Sequence, residues 1–353
     1  MKRLTVCLTL LLLTGCIEKK TLEEVELIQS FGFDQKGEDI QITATAPFIQ
    51  QNSQPGAFTE TFTTLAKSPQ EAREQLQNEA PRPFENGKLQ VVVMNKELGE
   101  KGLGTILESL QEDSKVGRSV FLAMTRGDAK DILYSQYAVS PIVSSYLKDL
   151  IEKSGKTNYP KVNFHDYLYS YYGAGMDPVL PIIKKVGDRI RMDGLACFRG
   201  DTYVTSLPPK DVFIFKTLYE KVKRGYYQFS FKNNTISVEE MDISSDYRVT
   251  LSSSYDIHIH VSINGYVREA SGIKINRENV NKIEKGLKTE MEKKANNIIA
   301  KLQKHKSDPL RIGDTVRSKD RKWKEAVWDK QYPNAQITAH YHVKLNSTGV
   351  IEY

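Results

Sequence analysis

Histidines spaced two residues apart form the clearest candidate ligand set in the chain. His258 and His260 lie in the segment DIHIHVSI, and His340 and His342 lie in AHYHVKL. Residues i and i+2 of a strand share one face, so each pair could offer two imidazoles to a metal ion. Both segments alternate apolar and polar residues, which is typical of strands whose polar face meets solvent. Asp256 is the one further ligand type nearby in sequence, and we predict no metal site.

The motifs of the common enzyme classes are missing from the sequence. It contains no GxSxG nucleophile elbow, no Walker A loop, no GxGxxG after a strand and no HExxH. No pair of carboxylates stands out from ordinary surface charge. Cys197 lies in the apolar stretch GLACF, where a thiol is more typical of a small buried hydrophobe than of a nucleophile. The sequence therefore predicts no catalytic residue, no cofactor-binding residue and no enzyme activity.

The first sixteen residues have the pattern of an export signal. Lys2 and Arg3 precede an apolar run from Leu4 to Leu13, about half of the ~20 residues that a membrane-spanning helix needs. The run ends in LTGC, which resembles the bacterial lipobox. That resemblance implies that residues 1–15 are a signal peptide and that Cys16 becomes the first mature residue. Its sulfur would carry a diacylglyceryl thioether, and its amino group could also be acylated.

Composition narrows the class of protein. The chain has 353 residues, 50 Lys plus Arg against 44 Asp plus Glu, and 39 % apolar residues. These values are typical of globular domains and exclude intrinsic disorder, collagen-like repeats and a polytopic membrane protein. The length suggests two or three domains. Three cysteines, one of them in the signal and one at the lipobox, exclude a disulfide scaffold.

The basic side chains are concentrated in one part of the chain. Residues 274–330 contain 17 basic and 9 acidic side chains. Such a segment could meet anionic lipid headgroups or an acidic partner, although a solvated helix surface is the simpler interpretation. No aromatic residue interleaves with the charge over residues 277–306, so we expect no nucleic-acid partner.

The N-terminal half alternates strand and helix signals. Ser68-Pro69 gives an N-cap followed by proline at the first helical position. The predicted strands are Val25–Phe33, Asp39–Phe48, Phe58–Ala66, Leu89–Met94 and Val120–Thr125. The predicted helices are Ser68–Ala80, Leu103–Leu110, Asp128–Tyr134 and Ile142–Lys153.

The C-terminal half changes pattern twice. A Tyr-rich helix is predicted to end near Gly173, and a hairpin over residues 189–207 turns at Arg199-Gly200-Asp201. A helix over 210–223 precedes four strand-like runs between residues 226 and 275. The last elements predicted are a long amphipathic helix from Asn276 to about His305, a helix over 319–330 with Trp323 and Trp328, and a strand over 337–345.

Together these signals predict a mixed α/β and α+β protein of three domains, each a β-sheet flanked by helices. The predicted boundaries are 16–159 for an N-terminal α/β domain, with which the hairpin 189–207 could pair, 160–225 for a middle domain and 226–353 for a C-terminal α+β domain. In the last of these, we expect the long helix to lie across an antiparallel sheet. One of its two tryptophans should be buried against that helix, while the other faces a groove or a partner.

Several stretches resemble the Ger(x)C family, the lipoprotein C subunits of spore germinant receptors. The similarity runs in order through the lipobox, Phe31-Gly32-Phe33-Asp34, NGKLQVVVMNKELGEKGL, GDAKDIL and GLACFRGDTYV. It ends with WKEAVWDKQYPNAQITAHYHVKLNSTGVI, the most specific part. Two positions depart from the family pattern: Ile17-Glu18 stands where Trp-Asp often follows the lipidated Cys, and Leu310 replaces Phe in the Asp-Pro-Phe stretch.

The resemblance implies a three-domain α/β protein that is not an enzyme. It would be anchored through Cys16 to membrane lipid on the extracytoplasmic face of the spore inner membrane, beside the membrane-embedded A and B type receptor subunits. The alternative is a lipid-anchored extracytoplasmic solute-binding protein or an envelope enzyme. A solute-binding protein predicts a cleft between two similar lobes, and the sequence shows no internal duplication.

Overall fold

A computed structural model describes residues 24–50, 56–251 and 255–347. Cys16, the signal segment and the chain end beyond residue 347 lie outside these ranges. The elements as far as the end of the hairpin are β1 (Glu26–Leu27), β2 (Ser30–Lys36), β3 (Asp39–Gln50), β4 (Gly56–Ala66), α1 (Pro69–Glu79), β5 (Phe84–Glu85), β6 (Val91–Asn95), α2 (Lys96–Lys101), α3 (Gly104–Glu112), β7 (Phe121–Thr125), α4 (Ala129–Leu133), α5 (Val143–Lys156), α6 (Phe164–Tyr172), β8 (Val179–Val186), β9 (Arg189–Arg199) and β10 (Thr202–Leu207).

The remaining elements form the C-terminal part of the molecule. They are α7 (Pro209–Tyr219), β11 (Val222–Phe231), β12 (Asn234–Thr250), β13 (Asp256–Ala270), α8 (Arg277–Lys304), α9 (Ile312–Lys319), α10 (Glu325–Gln331), a 3₁₀ turn (Tyr332–Asn334) and β14 (Gln336–Ser347). The mixed α+β class predicted from the sequence is confirmed.

The first sheet has eight strands in the order β10-β9-β8-β7-β6-β2-β3-β4. The neighbours β2, β6, β7 and β8 run parallel, and the strands at both ends are antiparallel. Helices cover both faces, so β6 is buried at every residue: Val92 packs into one hydrophobic cluster and Val93 into another. A strand buried on both faces needs an almost continuous apolar run, which explains the sequence VVVM.

Strand β8 and the hairpin of β9 and β10 belong to this first sheet. The hairpin therefore pairs as the sequence analysis allowed, with Gly200 in the turn at a φ of +60°. Among the described residues, the region 160–225 contributes its strands to the first sheet, up to the start of β11, and forms no separate sheet. The boundaries predicted at 159/160 and 225/226 stay predictions.

The second sheet has the order β11-β12-β13-β14. Its first three strands are antiparallel, but β14 runs parallel to β13, so the prediction of a purely antiparallel sheet is wrong for the last pair. The reason is the long helix α8, which carries the chain back across the sheet before β14 begins. Four strand runs were predicted between residues 226 and 275, but the structure has three strands there. Strand β12 is one long strand, because it continues through a register shift between Glu239 and Asp242.

Helix α8 confirms the prediction of a long amphipathic helix. Asn276 caps it by accepting a hydrogen bond from the Asn279 N–H at 2.9 Å. The residues buried along one side of the helix are Val280, Ile283, Leu287, Met291, Ala295, Ile298, Ile299 and Leu302. Their spacing of three and four residues places them on the face that packs against the second sheet.

The prediction of one continuous helix over residues 319–330 is wrong, because α9 ends at Lys319 and α10 begins only at Glu325. The Asp320 carboxylate accepts the Lys322 N–H at 2.8 Å, an Asp-centred turn that competes with helix continuation. Trp323 lies in this break and is half-buried, while Trp328 in α10 is only 2 % exposed. Trp328 packs on Tyr255 and Tyr332, with ring centroids 5.7 and 5.5 Å away.

Candidate interaction sites

Two buried aspartates join the two parts of the molecule. The Asp177 carboxylate accepts the Gly200 N–H and the Asp308 N–H, both at 2.7 Å. The Asp177 N–H in turn donates to the Asp308 carbonyl at 3.0 Å. Asp177 lies directly before β8 in the first sheet, and Asp308 follows α8 in the second part. We call this set of contacts the junction.

Asp308 organises the chain that follows it. Its carboxylate accepts the Ile312 N–H at 3.0 Å, the Gly313 N–H at 2.7 Å and the Trp328 indole N–H at 3.3 Å. Burial raises the pKa of Asp308 to about 7, and the negative charge of Asp177 adds to the effect. Burial also raises the pKa of Asp177 above its usual range. Asp308 therefore changes charge near neutral pH, but backbone N–H groups occupy its oxygens.

Two glycines allow the backbones to meet at the junction. The Asp314 N–H donates to the Gly175 carbonyl at 3.0 Å. Gly175 has a φ of +73°, and a Cβ atom there would lie 2.7 Å from the Gly313 carbonyl carbon. A Cβ atom on Gly313 would lie 2.4 Å from the Trp328 indole nitrogen. Only glycine fits this close approach.

Arg311 joins α6 and α7 next to the junction. It has a φ of +59°, and its guanidinium lies 4.9 Å from the ring centroid of Tyr219 and 5.2 Å from that of Tyr169. The guanidinium also donates to the Tyr219 hydroxyl at 2.7 Å. A cavity of about 330 Å³ lies beside the buried aspartates, and residues of both parts line it, among them Arg199 and Lys306.

The carboxyl ends of the parallel strands are already occupied by protein groups. In open α/β sheets this edge is the usual place for a ligand. Here the Asp34 carboxylate, near the end of β2, accepts the Ala129 N–H at 2.6 Å and the Lys130 N–H at 2.9 Å at the start of α4. Burial raises the pKa of Asp34 to about 6. Gly32 allows α4 this close, because a Cβ atom there would lie 2.9 Å from Leu133.

The structure brings His258, His260 and His340 together, whereas the exposed His342 lies opposite Ser262. In the parallel pairing of β13 with β14, His260 lies opposite His340 on the face that α8 does not cover. His258 Nδ1 is 3.0 Å from His340 Nε2, and His258 Nε2 is 3.3 Å from the Asp256 carboxylate. Desolvation and then the positive charge of Arg248 hold the pKa of His260 below its usual value.

Sequence reasoning treated the two histidine pairs separately and missed this patch, because strand order is not written in either segment. Nδ1 and Nε2 of His258 point to different neighbours, so the groups form a hydrogen-bonded chain and do not converge on one point. Within the described ranges, no group of three or more His, Cys, Asp or Glu side chains is arranged to hold a metal ion. The absence of a structural metal stays a prediction.

The predicted buried thiol is confirmed. Cys197 is fully buried in β9, and burial raises the pKa of its thiol to about 12. A thiol in this state is not a nucleophile at neutral pH. Cys16, the residue predicted to carry lipid, lies outside the described residues.

Lysines concentrate along an open groove beside α8. The groove has a volume of about 860 Å³, and its lining includes Lys210, Lys282, Lys285, Lys293 and Lys294. Two of the four helix carboxylates serve the fold, because Glu284 and Glu292 accept the backbone N–H groups of Leu345 and Tyr341. The other two, Glu278 and Glu290, pair with Lys282 and Lys294. The exposed side of α8 is therefore more basic than its sequence suggests.

Comparison with known proteins places these features in a class of spore germination proteins. A family model described as the spore germination protein N-terminal domain matches residues 18–185. A second, described as spore germination B3/GerAC like, C-terminal, matches residues 193–349. Together they cover most of the chain, which belongs to the Ger(x)C family of spore germination proteins.

Relatives of similar length support this assignment. The chain is 28 % identical over the whole of both chains to spore germination protein GerQC of Bacillus cereus. It is 22 % identical to spore germination protein KC of Bacillus subtilis (strain 168), over 97 % of this chain and 94 % of that protein. The crystal structure of the GerBC protein has the same fold, with a TM-score of 0.59 at 15 % identity, covering 90 % of this chain and 97 % of that one.

Proposed function

We propose that this protein is the lipid-anchored C subunit of a spore germinant receptor and acts there without catalysis. It would be attached through Cys16 to the extracytoplasmic face of the spore inner membrane. Its role would be to hold the membrane-embedded A and B type subunits together. The observation that carries the proposal is the continuity of the sequence: the first family match begins at residue 18, two residues after the LTGC motif.

The arrangement of polar groups favours a binding role over an enzymatic one. The buried aspartates of the junction are held by backbone N–H groups, the buried thiol is protonated, and Asp34 caps a helix. In the described part of the chain, these carboxylates accept hydrogen bonds from backbone N–H groups of the fold itself. No helix there is long and apolar enough to cross a membrane. In this proposal, attachment depends on the lipid at Cys16.

The alternative of a solute-binding protein finds less support. That class predicts two similar lobes with a ligand cleft between them. Here the two sheets differ in size and strand direction, with eight strands in the first and four in the second. The cavity at the junction lies between unlike parts and is lined mostly by groups that are bonded within the fold.

Metabolic labelling with a fatty acid tests the anchor. Cys16→Ala should lose the label, because no other thiol lies at the cleavage point, and Cys7→Ala should keep it as the matched control. Two acyl chains at ~0.8 kcal/mol per buried CH₂ hold a protein on a membrane far better than one. A label that persists in Cys16→Ala would contradict the anchor.

Purification from spore membranes tests the receptor role separately. Affinity-tagged full-length protein, solubilised in mild detergent, should bring down the A and B type subunits in constant ratio. Recovery of the lipidated protein without either subunit would contradict the receptor role while leaving the anchor intact.

A further inference from the structure

The two edge strands of the second sheet differ in whether other groups bond to their outward backbone N–H groups. At the β14 edge, the N–H groups of Ala339, Tyr341 and Leu345 donate to side chains of α8, namely Asn296, Glu292 and Glu284. These side chains occupy positions that another strand would need. At the opposite edge lies β11, which pairs with β12 alone. Edge strands with unpaired backbone groups are templates for strand addition.

The turn after β11 shows which of its backbone groups point outward. Lys232 and Asn233 have φ values of 51° and 64°, as in a two-residue type I′ hairpin turn. Phe231 and Asn234 are then a hydrogen-bonded pair, and alternate residues before them direct their N–H and C=O groups away from β12. Those residues are Gln228 and Ser230, both exposed. In the parts of the chain that the structure describes, no group bonds to their outward N–H groups.

Lysines flank both ends of this open edge. The groove beside α8 reaches the end of β11 at Phe231, and its Lys210, Lys285 and Lys293 form no ion pair within the described ranges. At the start of β11, a second groove of about 550 Å³ is lined by several more lysines. Of these, Lys161, Lys221 and Lys223 likewise have no carboxylate within ion-pair distance in the described chain.

We propose that the open edge of β11 binds an extended, acidic segment of a partner protein as an added strand. Main-chain hydrogen bonds to Gln228 and Ser230 would give the register, and the flanking lysines would select carboxylates. The regular template is Tyr227–Phe231, about 17 Å long at ~3.3 Å per residue, because the pairing with β12 shifts register on both sides of Gly225, next to Arg224 with its φ of +69°.

A second copy of this chain is a poor occupant of the same edge. Antiparallel pairing of two β11 strands would place the lysines at the start of one strand against those at the end of the other. Like charges brought together in this way oppose association. The same lysines that attract an acidic strand would thus prevent self-pairing. The inference is independent of the lipid anchor and of the receptor assignment.

Fluorescence anisotropy with a labelled peptide of alternating Val and Glu tests the proposal on the full-length protein in detergent micelles. The matched probe replaces each Glu with Lys and keeps the same strand propensity. We expect saturable binding of the acidic peptide and binding at least about tenfold weaker for the basic one. Equal binding of both peptides would overturn the role of the lysines.

Two pairs of variants separate backbone pairing from charge. Ser230→Pro removes an outward N–H that no strand uses, and Ser230→Ala keeps it. Lys285→Glu with Lys293→Glu reverses charge in the groove, and Lys322→Glu with Lys330→Glu makes the same net change at exposed positions elsewhere. We expect Ser230→Pro and the groove variant to lose about tenfold or more in affinity, with both controls unchanged.

The charge variants alter no backbone group, so they test the site even if Ser230→Pro fails to fold. Wild-type affinity in a folded Ser230→Pro protein would overturn strand addition. Equal losses in the two charge variants would overturn the site itself. Vesicles of anionic phosphatidylglycerol test lipid as the occupant. If the vesicles displace the peptide, and if Ser230→Pro binds them as well as the wild type does, the lysines bind lipid and the proposal is contradicted.

Discussion

The two sheets of this protein use their surfaces in opposite ways. In the first sheet, Val91–Asn95 is buried at every position because helices cover both faces. In the second sheet, β13 alternates buried and exposed residues along almost its whole length, because α8 covers one face only. The central strands of the first sheet are covered on both faces, whereas the second sheet leaves one polar face in solvent.

The junction makes the two parts depend on each other. Asp177, from the part with the first sheet, and Asp308, from the part with the second, exchange backbone and side-chain hydrogen bonds. These hydrogen bonds tie the second sheet to the first through both backbone and side-chain groups.

Substitution of neighbouring strand residues should give the largest effects, and it tests the contrast between the two sheets. Ile182 and Ile183 on β8 pack into opposite clusters, so each change to Ala should cost about 2–5 kcal/mol. On β13, Ile259→Ala should lower the free energy of unfolding by a similar amount because Ile259 is buried. His260→Ala should lower it by at most about 0.5 kcal/mol because His260 is half-exposed. Urea denaturation measures all four. Equal losses for Ile259 and His260 would show that the second sheet is covered on both faces.

A pair of glycines tests the contact between the parts, with an intermediate effect expected. Gly175→Ala adds a methyl group 2.7 Å from the Gly313 backbone and should destabilise the protein by about 2–4 kcal/mol. Gly187→Ala is the matched control, because its φ of +60° imposes similar backbone strain but nothing lies within 4 Å. Its cost should be about 1 kcal/mol. The difference in melting temperature isolates the close approach, and no difference would argue against a tight junction.

The buried aspartates give the smallest effect, which depends on pH. Folding raises the pKa of Asp308 from about 4 to about 7, so below pH 7 the folded state binds a proton that the unfolded state lacks. Stability should therefore rise as pH falls from 8 towards 5. Asp308→Asn should flatten this rise, because the amide stays neutral throughout.

Asp314→Asn serves as the control for this change, since that carboxylate pairs with Arg317 nearer the surface. Urea unfolding at pH 5, 6, 7 and 8 compares the three proteins. A wild-type protein whose stability falls as the pH is lowered over this interval would contradict the raised pKa of Asp308.

Local sequence signals predicted most of the elements. Asn276 and Ser68 mark helix starts that the structure places at the same residues, because a capping side chain and its N–H partner are three positions apart in the chain. The hairpin turn at Gly200 was likewise predicted from adjacent residues, because a tight turn needs a residue that tolerates a positive φ. The break at Asp320 was missed, since a periodic pattern hides a single residue that bonds its own neighbours.

The candidate sites depended on contacts between distant segments. Asp177 and Asp308 both stand in Asp-Pro dipeptides, a signal visible in the sequence, but 131 positions separate them and only the fold brings them together. The histidine patch and the open β11 edge likewise depend on strand order, which no local pattern encodes. The sequence by itself predicted an export signal and a lipobox cysteine, and it determined the family and the helix caps, because each rests on residues close together in the chain or on their order along it. The tertiary structure decided which polar groups are buried, paired or left open, because those properties depend on packing across the whole chain.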